Sequence, residues 1–309
     1  MIGKSAVVTG AAGFLGSHTV ERLLAEGYAV TAIDLQDAPI DDSLNSVLND
    51  SKLTVVLKNI TEIPVEDSVF KNQDFFFHCA GCANPKAEAC YLIEANIGSM
   101  CAALDIAKLN QFKKFIYPSS ASVYGTAQWP TREDHQLAPN SPYALSKLMG
   151  EELARNWRQW YGVPSIGFRI FNGYGIRDTN SVIVSKFLKN LIEGKPLTLI
   201  GGGEQKRDFI HVNDIVDAFL KGANSSVNFD VFNLATGQPS TILDVAKLIG
   251  EDIVFTSPLP GEPEVICADI SRIKNDLSWK PLISLEEGIA ELKKICLAEK
   301  DSDNIFSPT

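Results

Sequence analysis

The sequence of 309 residues predicts an α/β protein: a doubly wound parallel sheet joined to a smaller, discontinuous C-terminal α/β lobe. Three observations carry that prediction. Short apolar runs alternate with helix-length segments through the first half of the chain, the pattern of repeated βα units with helices on both faces of a parallel sheet. The first run is followed by a glycine-rich turn, Gly10-Ala-Ala-Gly13-Phe-Leu-Gly16. The second run ends in an acid, Asp34, roughly 20 residues beyond that turn.

Taken in order, residues 5–9 form the first strand, and the turn opens a helix to about Glu26, where Gly27 stops it. Residues 28–33 are the second strand. Glycine in the turn can take positive φ, so the backbone can approach a pyrophosphate whose charge the helix N-terminus attracts. Asp34 is placed to accept both ribose hydroxyl hydrogens of NAD and to repel the extra phosphate of NADP. Residues 53–57 and 74–79 are the third and fourth strands, and a helix covers about 91–109. The fifth strand, 114–117, leads into Pro118-Ser119-Ser120. A helix over 143–161 and a sixth strand at 165–170 follow. Ligands on such sheets sit beyond the carboxyl ends of the strands, where Gly10, Asp34, Asn59, Cys79 and Ser120 all fall.

After Gly175 the pattern loosens into helices near 182–193, 213–222 and 240–249, a strand at 229–234, and a loop with Pro and Gly at 257–263. Residues 1–170 plus about 206–232 are therefore assigned to a dinucleotide-binding domain. Residues from about 171 to 205 plus 233–300 form the substrate lobe, and 301–309 a frayed tail.

Composition narrows the function. The hydrophobic share of 45% and charged share of 21% are those of an ordinary globule, long enough here for two lobes. A net charge of −10 argues against a nucleic-acid surface, which needs a basic stripe. No apolar run approaches the roughly 20 residues that span a bilayer. The start passes straight into a strand, leaving no room for a signal peptide, so a cytoplasmic protein is expected. Six cysteines fit a compartment where thiols stay reduced. Cys79-Ala80-Gly81-Cys82 has redox or metal spacing, yet no second cluster completes a zinc site. These cysteines are read as small residues near a ligand loop, and no metal is expected.

The chemistry is expected at Tyr143 and Lys147. Asn140-Ser141-Pro142 reads as a helix start, with a capping side chain before a first-turn proline. Residues four apart share a helix face, so both side chains can point at one reacting centre. A free phenol has a pKa of about 10. A nearby ammonium, or a positively charged nicotinamide ring, favours the phenolate and makes the tyrosine a base usable near neutrality. The pair by itself could equally lie on a solvated face.

The rest of the chain decides between these. Thr9-Gly10-Ala-Ala-Gly13-Phe-Leu-Gly16-Ser-His18, Ser119-Ser120-Ala-Ser-Val-Tyr-Gly125 and Tyr143-x-x-x-Lys147 resemble motifs of the extended short-chain dehydrogenase/reductase family. Within it they are similar to the nucleotide-sugar epimerases and dehydratases of the UDP-glucose 4-epimerase type. Phe168-Arg-Ile-Phe-Asn172-Gly-Tyr-Gly175, Gly203-Glu-Gln-Lys-Arg207-Asp208-Phe-Ile-His-Val, Ala268-Asp269 and Leu277-Ser-Trp279-Lys-Pro281 extend the likeness over nearly the whole chain. The resemblance implies a Rossmann sheet binding NAD through Gly10, Gly13, Phe14, Leu15, Gly16, Asp34, Asn59, Ile60, Cys79, Ala80, Gly81, Ser119, Tyr143 and Lys147. It implies Tyr143 as catalytic base, Lys147 on the nicotinamide ribose, and Ser120 on the sugar oxygen. A UDP-sugar substrate would meet Ser120, Tyr143, Asn172, Arg207, Glu262 and Ile266, with Asn172 and Arg207 at the diphosphate. It further implies a homodimer through the helices at about 91–109 and 142–161, where Ala102, Ala103, Leu104 and Ala107 suit close packing, although they would equally suit burial within a monomer.

Departures from the family pattern matter. Asn59 stands where an Asp is usual, Ala83 where many epimerases carry a lysine, and Leu259 where a second diphosphate arginine is common. Losing that charged contact should cost roughly 1–3 kcal/mol of diphosphate binding. Ile266 falls where the resembling epimerases carry a residue that limits pocket size, and being smaller than tyrosine it leaves a 2-acetamido sugar open as a substrate. Dehydratases of the family place an acid just before Val-Tyr-Gly, whereas this chain has Ala121-Ser122. That leaves NAD-dependent 4-epimerisation of UDP-glucose, UDP-galactose or their N-acetyl forms, favoured by Asp34. The alternatives are 4-keto-sugar reduction or dehydrogenation and, from another class, a non-catalytic dinucleotide-binding protein.

Overall fold

The computed structural model describes residues 4–178, 183–258 and 261–300. Val182, where a helix is expected to begin, Leu259 in its loop and the 301–309 tail lie outside them. Six strands, β1 (Ser5–Thr9), β2 (Ala29–Asp34), β3 (Leu53–Leu57), β4 (Phe75–His78), β5 (Lys114–Ser120) and β6 (Ser165–Ile170), join Phe229–Leu234 in one parallel sheet. The spatial order is Phe229–Leu234, β6, β5, β4, β1, β2, β3. The chain winds outward from β1 in one direction and from β4 in the other, so the topological switch lies between β1 and β4, where ligands of such sheets bind.

Both faces of the sheet are buried, which is why its strands read as unbroken apolar runs. Alternation divides the phenylalanines of β4. Phe75 and Phe77 enter one core with Val20 and Leu23 of helix Phe14–Ala25 and Phe219 of helix Val212–Asn224. Phe76 enters the other, with Met100, Leu104 and Ala154. Each such side chain stabilises the fold by roughly 1.5–3 kcal/mol. Pro118 can occupy a central strand because β4 pairs with β5 only as far as Ile116, so the missing N–H is not needed.

The helix expected at about 91–109 is longer and irregular. Residues Ala89–Leu92 and Ser99–Asn110 are α-helical, and Ile93–Gly98 between them are wound as a π-helix. The 22-residue whole is long and apolar enough to cross a membrane by length and composition, correcting the expectation that no segment approaches that length. Its inner face is packed on the sheet. Ala103, Leu104 and Ala107 are buried there, within one subunit, rather than presented outward.

The smaller lobe packs helices Val184–Glu193, Ile242–Ile249 and Leu285–Lys300 around the parallel pair Leu197–Ile200 and Ile253–Thr256. Ile270, Ile273, Leu277 and Trp279 fall in the segment the sequence assigns to this lobe, yet they pack into the core of the large sheet.

Candidate active site

Helix Pro142–Tyr161 carries the predicted pair. Ser141 Oγ accepts the Ala144 N–H at 3.1 Å, Pro142 takes the first helical position, and Gly162 ends the helix in a left-handed conformation. The helix thus begins one residue before Tyr143. Tyr143 and Lys147 both line a cavity of about 490 Å3 at the carboxyl ends of the strands. Gly10, Gly13, Phe14, Leu15, Gly16, Cys79, Gly81, Ser119, Ser120, Asn172 and Ile266 share it with them.

At one end the cavity is a cradle for a dinucleotide. Gly10 has φ +65°, and a Cβ there would lie 2.7 Å from Ala80 N; one on Gly16 would lie 1.9 Å from the Gly10 carbonyl. Gly13 supplies no side-chain cap to helix Phe14–Ala25, and no acid stands in its first turn. The first-turn N–H groups therefore keep their positive end for an anion. Asp34 sits at the tip of β2, its two oxygens accepting Ala12 N–H at 2.7 Å and Leu35 N–H at 2.8 Å. Burial raises its pKa, and those two hydrogen bonds oppose the rise. A carboxylate fixed in this way fits a ribose diol. The residues present fit NAD.

The sequence reading did not find Asn96, in the π-wound turn. Its Oδ1 accepts Cys82 N–H at 2.7 Å, while Nδ2 donates to Cys82 O at 3.1 Å and to Ser146 Oγ at 2.8 Å. Asn96 thus ties the loop after β4 to the helix of Tyr143. Its partners lie 14 and 50 residues away, so no local pattern marks it.

The chemistry end holds Ser120, Tyr143 and Lys147. Lys147 Nζ donates to the Pro118 carbonyl at 3.3 Å and lies 5.9 Å from the centre of the Tyr143 ring. Burial pushes its amine down to about 8. Burial raises the Tyr143 phenol, and a hydrogen bond with Ser120 opposes this. The expected acidity of this phenol thus needs positive charge from Lys147 or a nicotinamide ring to offset the desolvation of the phenolate. Ser120 Oγ also accepts from Ser122 N at 3.2 Å and Ser122 Oγ at 2.9 Å.

Behind this centre lies a buried ion pair. Arg169 Nε and Nη2 donate to Glu151 Oε1 at 2.9 Å and Oε2 at 2.7 Å, and Ser119 Oγ donates to the same carboxylate at 2.5 Å. Arg169 Nη1 reaches Tyr124 Oη at 2.8 Å, which donates to Asn233 Oδ1 at 2.6 Å. These bonds join the Tyr143 helix, β5, β6 and the loop that walls the cavity.

Other predicted residues lie outside the cavity lining. Asn59 caps a short turn by accepting Thr61 N–H at 3.1 Å, and the Ile60 side chain is buried in the core. Ala80 lies behind Gly10. Arg207 donates to Glu262 Oε1 at 2.8 Å and to the carbonyls of Lys206 and Pro263 at 2.9 and 3.0 Å. Its guanidinium and the Glu262 carboxylate thus pair with each other, outside the lining. Asn172 does line the cavity, with Nδ2 donating to the Asp208 carbonyl at 3.2 Å. Cys79 and Cys82 are free thiols, and burial pushes Cys79 up to about 12, far from a reactive thiolate.

This fold and cradle define a dinucleotide-dependent enzyme. The chain belongs to the NAD dependent epimerase/dehydratase family, whose model matches residues 6–235. It is 30% identical to a UDP-glucose 4-epimerase of Mycolicibacterium smegmatis over 92% of this chain and 96% of that one. Among solved structures, the UDP-N-acetylglucosamine 4-epimerase from Methanobrevibacter ruminantium, in complex with UDP-N-acetylmuramic acid, superposes with a TM-score of 0.90 at 32% identity. That match covers 97% of this chain and 100% of the other. The UDP-glucuronic acid 4-epimerase from Bacillus cereus, in complex with UDP-glucuronic acid and NAD, gives 0.87 at 27% identity over 95% and 99%.

Proposed function

We propose that the protein is an NAD-dependent UDP-sugar 4-epimerase acting on UDP-glucose and UDP-galactose or their N-acetyl forms, with Tyr143 as its base. The carrying observation is that Ser120, Tyr143 and Lys147 line one cavity together with the glycine turn. Gly10, Gly13, Phe14, Leu15, Gly16 and Asp34 would hold the cofactor, which when bound supplies reversible hydride acceptance at the sugar C4. Tyr143 Oη takes the proton of the C4 hydroxyl and returns it when the 4-ketose is reduced on its other face, so no net oxidation occurs. Ser120 orients the same oxygen, while Lys147 positions the nicotinamide ribose and adds positive charge beside the phenolate. Ala121 and Ser122, where an elimination would need an acid, favour epimerisation over dehydration.

Incubation with UDP-glucose and chromatographic detection of C4 inversion tests this reading; stoichiometric consumption of NADH would replace it by ketoreduction. We also place the enzyme in the cytoplasm, a reading its six free cysteines support. A homodimer is part of the proposal. Tyr91, Ile93, Leu145, Met149, Trp160 and Tyr161, on the two packed helices, are 40–63% exposed, an apolar face suited to a second copy. Light scattering at twice the monomer mass is expected, and a monomer would remove this part.

A further inference from the structure

The sugar end of the cavity, around Ser120 and Tyr143, is walled by Ser122, Tyr124, Thr126, Ala127 and Thr131. Most of its hydroxyl protons are already engaged. Ser122 Oγ donates to Ser120 Oγ, and Ser120 is hydrogen-bonded to Tyr143. Tyr124 Oη donates to Asn233, and Thr131 Oγ1 donates to the Gln128 carbonyl at 3.0 Å. Among these side chains the Thr126 hydroxyl, one amide hydrogen of Asn172 and the phenol proton of Tyr143 are left over, and the last is given up when Tyr143 acts as base. Oxygens so engaged can still accept, which suits a sugar hydroxyl, both donor and acceptor; a carboxylate can only accept.

Cations are equally committed. Among the described residues, Lys147 is the one Lys or Arg that lines the cavity, and it is bound to Pro118 O. Arg169 is paired with Glu151, Arg177 with Glu21 and Arg207 with Glu262. Lys86 is exposed at the rim, beyond Pro85. Residues 179–182 and 259–260, outside the described residues, contain no Lys, Arg or His. An anion taken out of water without a cation or donors is strongly disfavoured.

Building on the 4-epimerase reading, we propose that the site selects UDP-hexoses whose sugar is uncharged, with a hydroxymethyl group at C5 and with or without a 2-acetamido group, and rejects uronates. The C5 carboxylate of a uronate would be buried among acceptors and engaged donors, beside a base that must itself become anionic.

Binding of UDP-glucose, UDP-N-acetylglucosamine and UDP-glucuronate to the NAD-loaded enzyme, measured by calorimetry beside C4 inversion by chromatography, tests this. At least one neutral sugar nucleotide is expected to bind about 100-fold more tightly than UDP-glucuronate. UDP-glucuronate binding within tenfold of both neutral sugars overturns the proposal, whatever the turnover; so does failure of both neutral sugars to bind. Selective binding of a neutral sugar without C4 inversion sustains the selectivity and removes the epimerase reading instead.

Discussion

Tyr143 is pulled in two directions. Burial holds its proton on, and only the hydrogen bond from Ser120 and positive charge in the assembled site can loosen it. Tyr143→Phe removes the one group that both accepts and returns the C4 proton, while leaving the glycine cradle untouched. Turnover is expected to fall about 10²–10⁴-fold with co-purified NAD unchanged, measured by chromatography and by the absorbance of the released cofactor. Undiminished turnover would take the base away from this residue. That Tyr143, Lys147 and Ser120 line one cavity was legible through the family resemblance, since helix spacing alone left the pair equally at home on a solvated face. The Arg207–Glu262 pairing and the grip of Asn96 on Cys82 were not, since both join side chains distant in the chain.

Among the elements, helix Pro142–Tyr161 begins where Ser141 and Pro142 say it should. Ser141→Ala leaves the Ala144 N–H without its acceptor in the turn that holds Tyr143. A loss of about 1 kcal/mol in stability by denaturant titration is expected, with a smaller kcat, because the fraying begins next to the base. An unchanged denaturation midpoint would show that packing alone fixes this turn. The strands were legible for a different reason: being buried on both faces, they are written as apolar runs such as Phe75-Phe-Phe. The π-wound turn was not, because one irregular turn barely disturbs an apolar pattern already broad enough to cover it.

For the whole molecule, acid sensitivity is expected from two buried imidazoles. Burial lowers His18 to about 4, helped by Arg177, and lowers His78 to about 3, helped by Lys147, from an ordinary 6.5. Below pH 6.5 the unfolded chain binds protons that the folded one refuses, so stability falls as pH falls, until about 4 for His18 and about 3 for His78. Asp208 and Asp214, raised by burial, act in the opposite sense over a window that extends upward from 3.8. Between about pH 7.5 and 5.5 each histidine should remove about 1 kcal/mol, and His18→Gln should lose less over that range than the parent. Equal losses in the two proteins would mean that His18 is not held neutral. The doubly wound sheet was legible at this scale from element order. The return of residues 270–279 to the large core was not, because a core of Ile, Leu and Trp does not say which of two lobes it belongs to.

The π-wound turn has a further consequence. Its extra length is equivalent to one surplus residue in a regular helix, and each residue turns the winding by about 100°. Excising Ile97 would let the rod wind evenly from end to end. Ser99–Asn110 and Ala89–Leu92 would both keep their seats, because five α residues turn about as far as six π-wound ones, while Asn96, beside the cut, would be turned off the Cys82 backbone. Such a shortened protein should keep its melting profile far better than it keeps NAD, a split readable by thermal denaturation beside cofactor retention on gel filtration.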